Sequence, residues 1–447
     1  MLGVGLGLHP QPPAEVTVPL PVGLGWDSEA HPIQVLRGRG GFRSETVPRD
    51  LVDPGIWSGA AIHVDAVSGN DANSGQGAAD GDFSDAKKTI WAAFVAGNAT
   101  GAPYRVIVKP GLYQEAAFTR NGQDEPSQPV AVVGWGGAVR FRTGPWQVVW
   151  SDQAGTFGTQ ESAVVRVFRT DVLTPRGHYS ELSEVADPAA CAATVDSWCA
   201  DGGEVHVNIG SAPGTGDIAL IRAFHGARFL SHAADLYLEN IHCEGGITGA
   251  LHCDAVATRN VVAVGCSFRY SAPTSPAAAQ DAARVRRTSG LVACFDCDAS
   301  FGAKDGWNFH EDGASGLHVL LEDCSGSDNG AFGVTSCNAL TSHDAVRMIV
   351  LGGDFGNSRN GTEVHCIQQT ASYLAGCRVV ARDVDGSSVA YQCSFEASMW
   401  LDEAVADAAG GASNHAIEAN SGTVFTRGFQ AVAGDIVTSG GGSVSAF

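Results

Sequence analysis

At 447 residues the chain is long enough for two or three globular domains, but 57 glycines against 18 prolines point to many tight turns instead. Apolar content of 44% excludes disorder as the source of those glycines. The net charge of −21 argues against nucleic acid or an anionic membrane as partner, although a local arginine patch still admits an anionic polysaccharide.

Residues 1–25 are Leu-Gly-rich and then carry Pro10, Pro12, Pro13, Pro19 and Pro21, which reads as an extended attachment arm. Residues 26–60, with Trp26 and Trp57, read as a small adaptor or cap. Met1 to Leu8 is apolar but short and lacks a basic flank, so it is not read as a secretory signal, and no long apolar span occurs elsewhere. From His63 the pattern changes to strand-length apolar runs. A short amphipathic helix carrying Ile90, Trp91, Phe94 and Val95 is expected to close the open end of the strand array. The loop from Asp65 to Asp82 has oxygens enough for calcium but not EF-hand spacing, so it reads as a solvated turn, and no cofactor or metal is expected.

The most regular stretch runs from Asp296 to His365. Asp296-Cys297, Asp323-Cys324 and Asp354-Phe355 each follow an apolar run, and each leads into Asp305-Gly306, Asn329-Gly330 or Asn360-Gly361. A period of roughly 30 residues, with no helix-length segment between copies, predicts a stacked β array. The fold expected is all-β, a single-stranded right-handed parallel β-helix over residues 61–403, with loops inserted at 171–201 and 271–287 and closing rungs at 404–447. Most of the 12 cysteines then become small apolar rung residues, as at Cys243, Cys266, Cys297, Cys324 and Cys393. Cys294 and Cys297 form a lone CxxC, and Cys191 and Cys199 are the best-placed disulfide pair. Free thiols point to assembly in a cytoplasm.

Turn glycines set a register for candidate site residues. Asn308 and His310 follow Gly306 as Glu363 and His365 follow Gly361. With Trp307, Phe309, Thr362 and Val364 inward, these four share one outward face, and Phe332 and Val334 supply an apolar patch between them. A polar and aromatic groove of this kind suits a glycan. Asp305, Asp312, Asp328, Asp344 and Glu363 are the carboxylates available for acid–base work, since rungs ~4.8 Å apart provide either glycosidase spacing. A lyase would need an arginine or histidine to neutralise a uronate, because lysines are scarce.

Gly69-Asn70-Asp71, Asn73-Ser74-Gly75, Lys88-Thr89-Ile90 and Pro110-Gly111-Leu112-Tyr113 resemble the cap and first rung of right-handed parallel β-helix proteins of the pectate-lyase-like superfamily. With the later rungs the resemblance covers roughly residues 61–430 and specifies the fold better than the activity. An arm, an elongated solenoid and cytoplasm-type cysteines together resemble a phage or phage-like particle tail spike, fibre or head spike. That resemblance implies a virion location, a homotrimer, contact with other virion proteins through residues 1–25, and binding of host surface or capsular polysaccharide during adsorption, with or without its cleavage. A stand-alone polysaccharide lyase or glycoside hydrolase, and a purely structural virion component, are the alternatives.

Overall fold

The computed structural model describes residues 15–447 except 121–122, 276–277, 332 and 383–385. From Ala60 onward the chain winds a parallel β-solenoid of about 12 turns. Each regular turn gives a strand to a thirteen-stranded, then a ten-stranded, then a nine-stranded sheet. In one turn these are Val261–Val264, Ser267–Arg269 and Ala283–Arg286, and Thr288–Phe295 begins the next. Val261, Ala263, Phe268, Ala283 and Val285 point into one apolar core that runs the length of the coil.

The corner between the thirteen- and ten-stranded sheets explains the repeated Asp-Cys pair. One residue there is left-handed, at Asn240, Gly265, Asp296, Asp323, Gly352, Gly376, Glu403 and Gly428. Gly, Asn and Asp reach that conformation at least cost. Cys266, Cys297, Cys324, Gly353 and Cys377 come next, stacked by the pairing of Ser267, Asp298, Ser325, Asp354 and Arg378. The third copy of the repeat is therefore Gly352-Gly353, not Asp354-Phe355. A two-residue slip preserves which side chains face inward, so the apolar pattern hides it. All twelve cysteines are buried and unbridged, Cys191 and Cys199 included. The Cys191 thiol instead lies against the carbonyls of Ser197 and His206, 3.7 Å from each.

The helix Ile90–Asn98 covers the first turn. Thr89 caps it by accepting from the Ala92 N–H, and Asp71 in turn accepts from Lys88 N–H, Thr89 N–H and Thr89 Oγ1. Ile90, Ala93 and Phe94 close the core, whereas Val95 faces solvent. Carboxylates of the preceding loop serve the chain itself in the same way: Asp65 holds Lys109 and the Val67 and Ser68 N–H groups, and Asp82 holds those of Ala78 and Ser84.

Residues 15–58 form a strap along the outer face of the thirteen-stranded sheet. The described part of the expected arm, residues 15–25, lies on the coil. Val16–Val18, Val35–Gly38 and Gly41–Ser44 make a small antiparallel sheet. Leu24, Val35, Phe42, Val52 and Ile56 pack on Tyr237, Val262, Leu291, Leu320, Ile349, Tyr373 and Trp400. Polar ties fix the register: Asp27 N–H to His318 Nε2 (3.2 Å), Ser44 N–H and Oγ to Glu322 (2.9 and 2.6 Å), and Asn260 Nδ2 to the Leu51 carbonyl (2.6 Å).

Residues 143–226 leave the coil between Val139–Arg142 and Ala227–Phe229 and build a side unit of five- and three-stranded sheets. Its own core holds Val167, Trp198, Val205, Val207 and Leu220, and the expected loop 171–201 is one part of it. Arg284 and Arg286, expected in the loop 271–287, lie on the strand Ala283–Arg286, where Ala and Val alternate inward with arginine outward.

Candidate active site and glycan-binding face

The outer face of the nine-stranded sheet collects the polar residues. Strand pairing places Arg228, His252, Arg284, Asn308, Thr341, His365, Gln392 and Glu418 in one outward column on successive turns. Beside it run Arg286, His310 and His343, with the rings of His310 and His343 stacked 3.8 Å apart. Burial, then the neighbouring imidazole and arginines, presses His310 down to about 2; burial alone is the main cause of the fall of His343 and His365 to about 4. All three rings are neutral near pH 7.

Asp305 anchors the middle of this face. Its carboxylate accepts from Asn308 Nδ2 (3.0 Å), Thr341 Oγ1 (2.9 Å) and Asn338 N–H (2.9 Å). The neighbouring turn supplies Asp281, whose Oδ1 accepts the Asp305 N–H at 3.3 Å. Burial and the second carboxylate raise Asp305 to about 7, against the pull of Lys304. Downstream of this network a cleft of about 370 Å³ is bounded by Asn338, Thr362, His365, Gln392 and Glu418.

A larger groove, about 780 Å³, follows the corner between the nine- and thirteen-stranded sheets. Glu311, Asp344, Gln368, Phe395 and Ser421 line it from successive turns, with Gln369 and Glu396 beside them. Asp344, Gln368, Phe395 and Ser421 are all left-handed, with φ of 64°, 65°, 62° and 61°. For phenylalanine this conformation is a real outlier, and its side chain is nevertheless 61% exposed. A hydrophobic ring is thus held in water, on strained backbone, over a groove of carboxylates and amides. Asp344 is tied to the histidine stack, its Oδ2 3.9 Å from His310 Nδ1 and accepting the Asp312 N–H at 2.8 Å.

Asp305, Asn308, His310, His365 and Asp344 come together on or beside this face, and Asp312 pairs with Arg286 at its rim. Phe332 lies outside the described residues. Glu363 is not on the face. Its turn-equivalents are Ala339, Ala390 and Ala416, all core residues, and it is 2% exposed. Strict alternation fails because the chain bends there: Thr362 turns outward, donating to Gln392 Oε1, while Glu363 enters the corner and accepts the Ser358 N–H at 3.0 Å. Burial raises it to about 8. Val334 belongs to a cluster of loop residues with Ala279, Ala303, Ala331 and Cys337. Asp328 faces the other flank, its Oδ2 3.0 Å from His178 Nδ1 of the side unit. There the coil pairs Arg269 with Asp298 (2.6 Å) and Arg378 with Asp354 (3.2 Å), and Arg176 of the side unit joins Asp354 (2.9 Å).

The sequence reading missed Phe395, Gln368, Asp281, His252 and Arg284. A register counted from the left-handed corners instead of the Asp-Gly turns aligns the strands that carry them.

No protein-family model and no curated protein matches the chain significantly. Among solved structures, one described as a glycoside hydrolase aligns with a TM-score of 0.47 at 9% identity, over 86% of this chain and 96% of its own. XylC in complex with xylose aligns at 0.41 and 10% identity, over 83% and 69%. A GH136 lacto-N-biosidase from Eubacterium ramulus aligns at 0.30 and 10%, over 88% and 68%. Likeness at this level says nothing of what this chain binds.

Proposed function

We propose that the protein is a glycan-binding β-solenoid that lays a polysaccharide along its nine-stranded face and the adjoining corner groove. The observation that carries this is Phe395, an exposed ring on left-handed backbone among Glu311, Asp344, Gln368, Gln369 and Glu396. An apolar platform ringed by hydroxyl-binding groups fits the apolar face and equatorial hydroxyls of a pyranose. The corner fixes the left-handed backbone, as it does at Asp344, Gln368 and Ser421, and what sets Phe395 apart is that the position carries an exposed ring. We further place this binding on a host-adsorption spike of a phage-like particle. That part is supported by the elongated coil and by twelve unbridged cysteines of the kind assembled in a cytoplasm.

Cleavage of the bound glycan has one observation in its favour. Asp281 and Asp305 occupy neighbouring turns, ~4.8 Å apart along the coil, and burial raises Asp305 to about 7, in the range of a general acid. Both carboxyls lie beneath the face, 3% and 2% exposed, so cleavage requires the face to open to them. Polysaccharide incubated with the protein and followed by size chromatography tests both statements. Co-elution with an unshortened polymer supports adsorption alone, and shortening that disappears in Asp305→Asn adds hydrolysis or elimination. Absence of co-elution and of shortening across capsular and surface glycans refutes the reading.

A further inference from the structure

We propose that the first turns of the nine-stranded face form a subsite for an anionic substituent of the glycan, a carboxylate or a sulfate ester. This rests on the glycan reading and adds the ligand class. Arg228, His252 and Arg284 stand on three consecutive strands in the outward column, with Arg286 beside them. Arg228 Nε, His252 Nδ1, Arg284 Nε and Arg286 Nε are all buried without a hydrogen-bond partner. His252 is 6% exposed as a residue, and its Nε2 stands 3.4 Å from Asp254 Oδ2 without the alignment of a hydrogen bond. Each buried donor left unpaired costs about 1–3 kcal/mol, and three guanidinium Nε–H groups on one small patch exceed what a folded protein ordinarily carries.

The nearby carboxylates leave this donor set largely unused. Asp312 takes Arg286 Nη2 at 2.5 Å, Asp254 takes Arg287 at 2.6 Å, and Asp281 stands 3.8 Å from Arg284 Nε. Among the described residues no carboxylate lies within ion-pair distance of Arg228. Its Nη1 faces His225 Nε2 at 3.0 Å, and burial together with Arg228 holds that ring neutral, near 4. A planar anion satisfies forked guanidinium donors in a way that a neutral hydroxyl does not. Asn308 Oδ1, buried and also without a partner, sits one strand further on and accepts from an adjacent sugar hydroxyl.

The subsite and the Phe395 groove are about four strands apart, ~19 Å at ~4.8 Å per turn. Between and beyond them the face turns from basic to acidic, through Glu311, Asp344, Glu396 and Glu418. The ligand class that suits both ends is a heteropolysaccharide in which acidic units alternate with neutral ones.

Affinity is measured for the intact protein by titration calorimetry with dextran, hyaluronan and chondroitin sulfate at ~0.15 M salt, where a Debye length of about 8 Å leaves local charge dominant. The acidic polymers are expected to bind at least tenfold more tightly than dextran. Arg284→Gln and, separately, Arg228→Gln should abolish the preference of the protein for the acidic polymers over dextran, and millimolar sulfate should compete only in the unsubstituted protein. A preference for chondroitin sulfate over hyaluronan assigns the sulfate ester, and the reverse assigns the carboxylate. Equal affinity for neutral and acidic polymers, or acidic affinity unmoved by both substitutions, overturns the subsite and leaves the glycan reading standing. Binding of none of the three overturns both. Arg228 lies on the outermost strand, Ala227–Phe229, so its substitution carries the test if Arg284→Gln does not fold.

Discussion

Glu363 provides a quantitative test of how the coil tolerates a carboxyl among alanines. Its side chain occupies the corner filled by Ala339, Ala390 and Ala416 on neighbouring turns, and burial raises it from 4.5 to about 8. A carboxyl raised in the folded state contributes fully below its unfolded value and loses that contribution as pH rises towards the folded one. At 1.36 kcal/mol per unit, the loss is about 3 kcal/mol by pH 7 and between about 4 and 5 kcal/mol above pH 8. Glu363→Gln keeps the shape and removes the titration. Urea unfolding of both proteins from pH 4 to pH 9 should give equal stabilities at pH 4 and a gap opening in favour of the variant between pH 4.5 and 8. Other raised carboxyls, such as Asp305, are common to both proteins and cancel in the difference. A gap independent of pH would refute the assignment of the buried charge to Glu363.

Phe395→Gly should weaken glycan binding at least tenfold while raising stability by about 1 kcal/mol, because glycine takes φ of 62° without strain; calorimetry and urea melts read the two effects, and a destabilised variant would show that the ring packs rather than binds. Leu24→Asp puts a charge where the strap is 1% exposed, and should make residues 15–58 cleavable by protease under conditions where the coil stays intact. Thiol reagents should leave the native protein unlabelled and label all twelve cysteines in denaturant without reductant; fewer than eleven would mean at least one bridge.

The coil was legible because its signals are local. Apolar runs, turn residues and the Asp-Cys corners specify a strand and a bend whatever the rest of the chain does. Register was less legible: Asp354-Phe355 mimics Asp323-Cys324 two residues out of step, and inward parity cannot tell the two apart. The site suffered from the same ambiguity. Asn308, His310 and His365 obey alternation and point outward as expected, whereas Glu363 sits where the chain bends and alternation lapses. Phe395 gave no signal of its own, since nothing in a sequence marks a phenylalanine that will adopt a glycine conformation, and only its place in the corner register points to it. Residues 15–25 read as an arm because proline and glycine resemble a linker, whereas Leu24, like Val35 and Phe42 of the expected adaptor, finds its partners far along the chain, in a pairing that no local pattern records.

The strap also imposes an order on biosynthesis. Leu24, Val35 and Phe42 leave the ribosome early, yet the surface they cover includes Tyr373 and Trp400, which are made near the end. At 5–20 residues per second the wait is on the order of tens of seconds. Residues 51–58 find Ile107, Ala131 and Asn260 on early turns, whereas the stretch around Gly23 and Leu24 lies against Trp400 and must wait for the late ones. The ribbon therefore closes from its C-terminal end, and its first residues dock last.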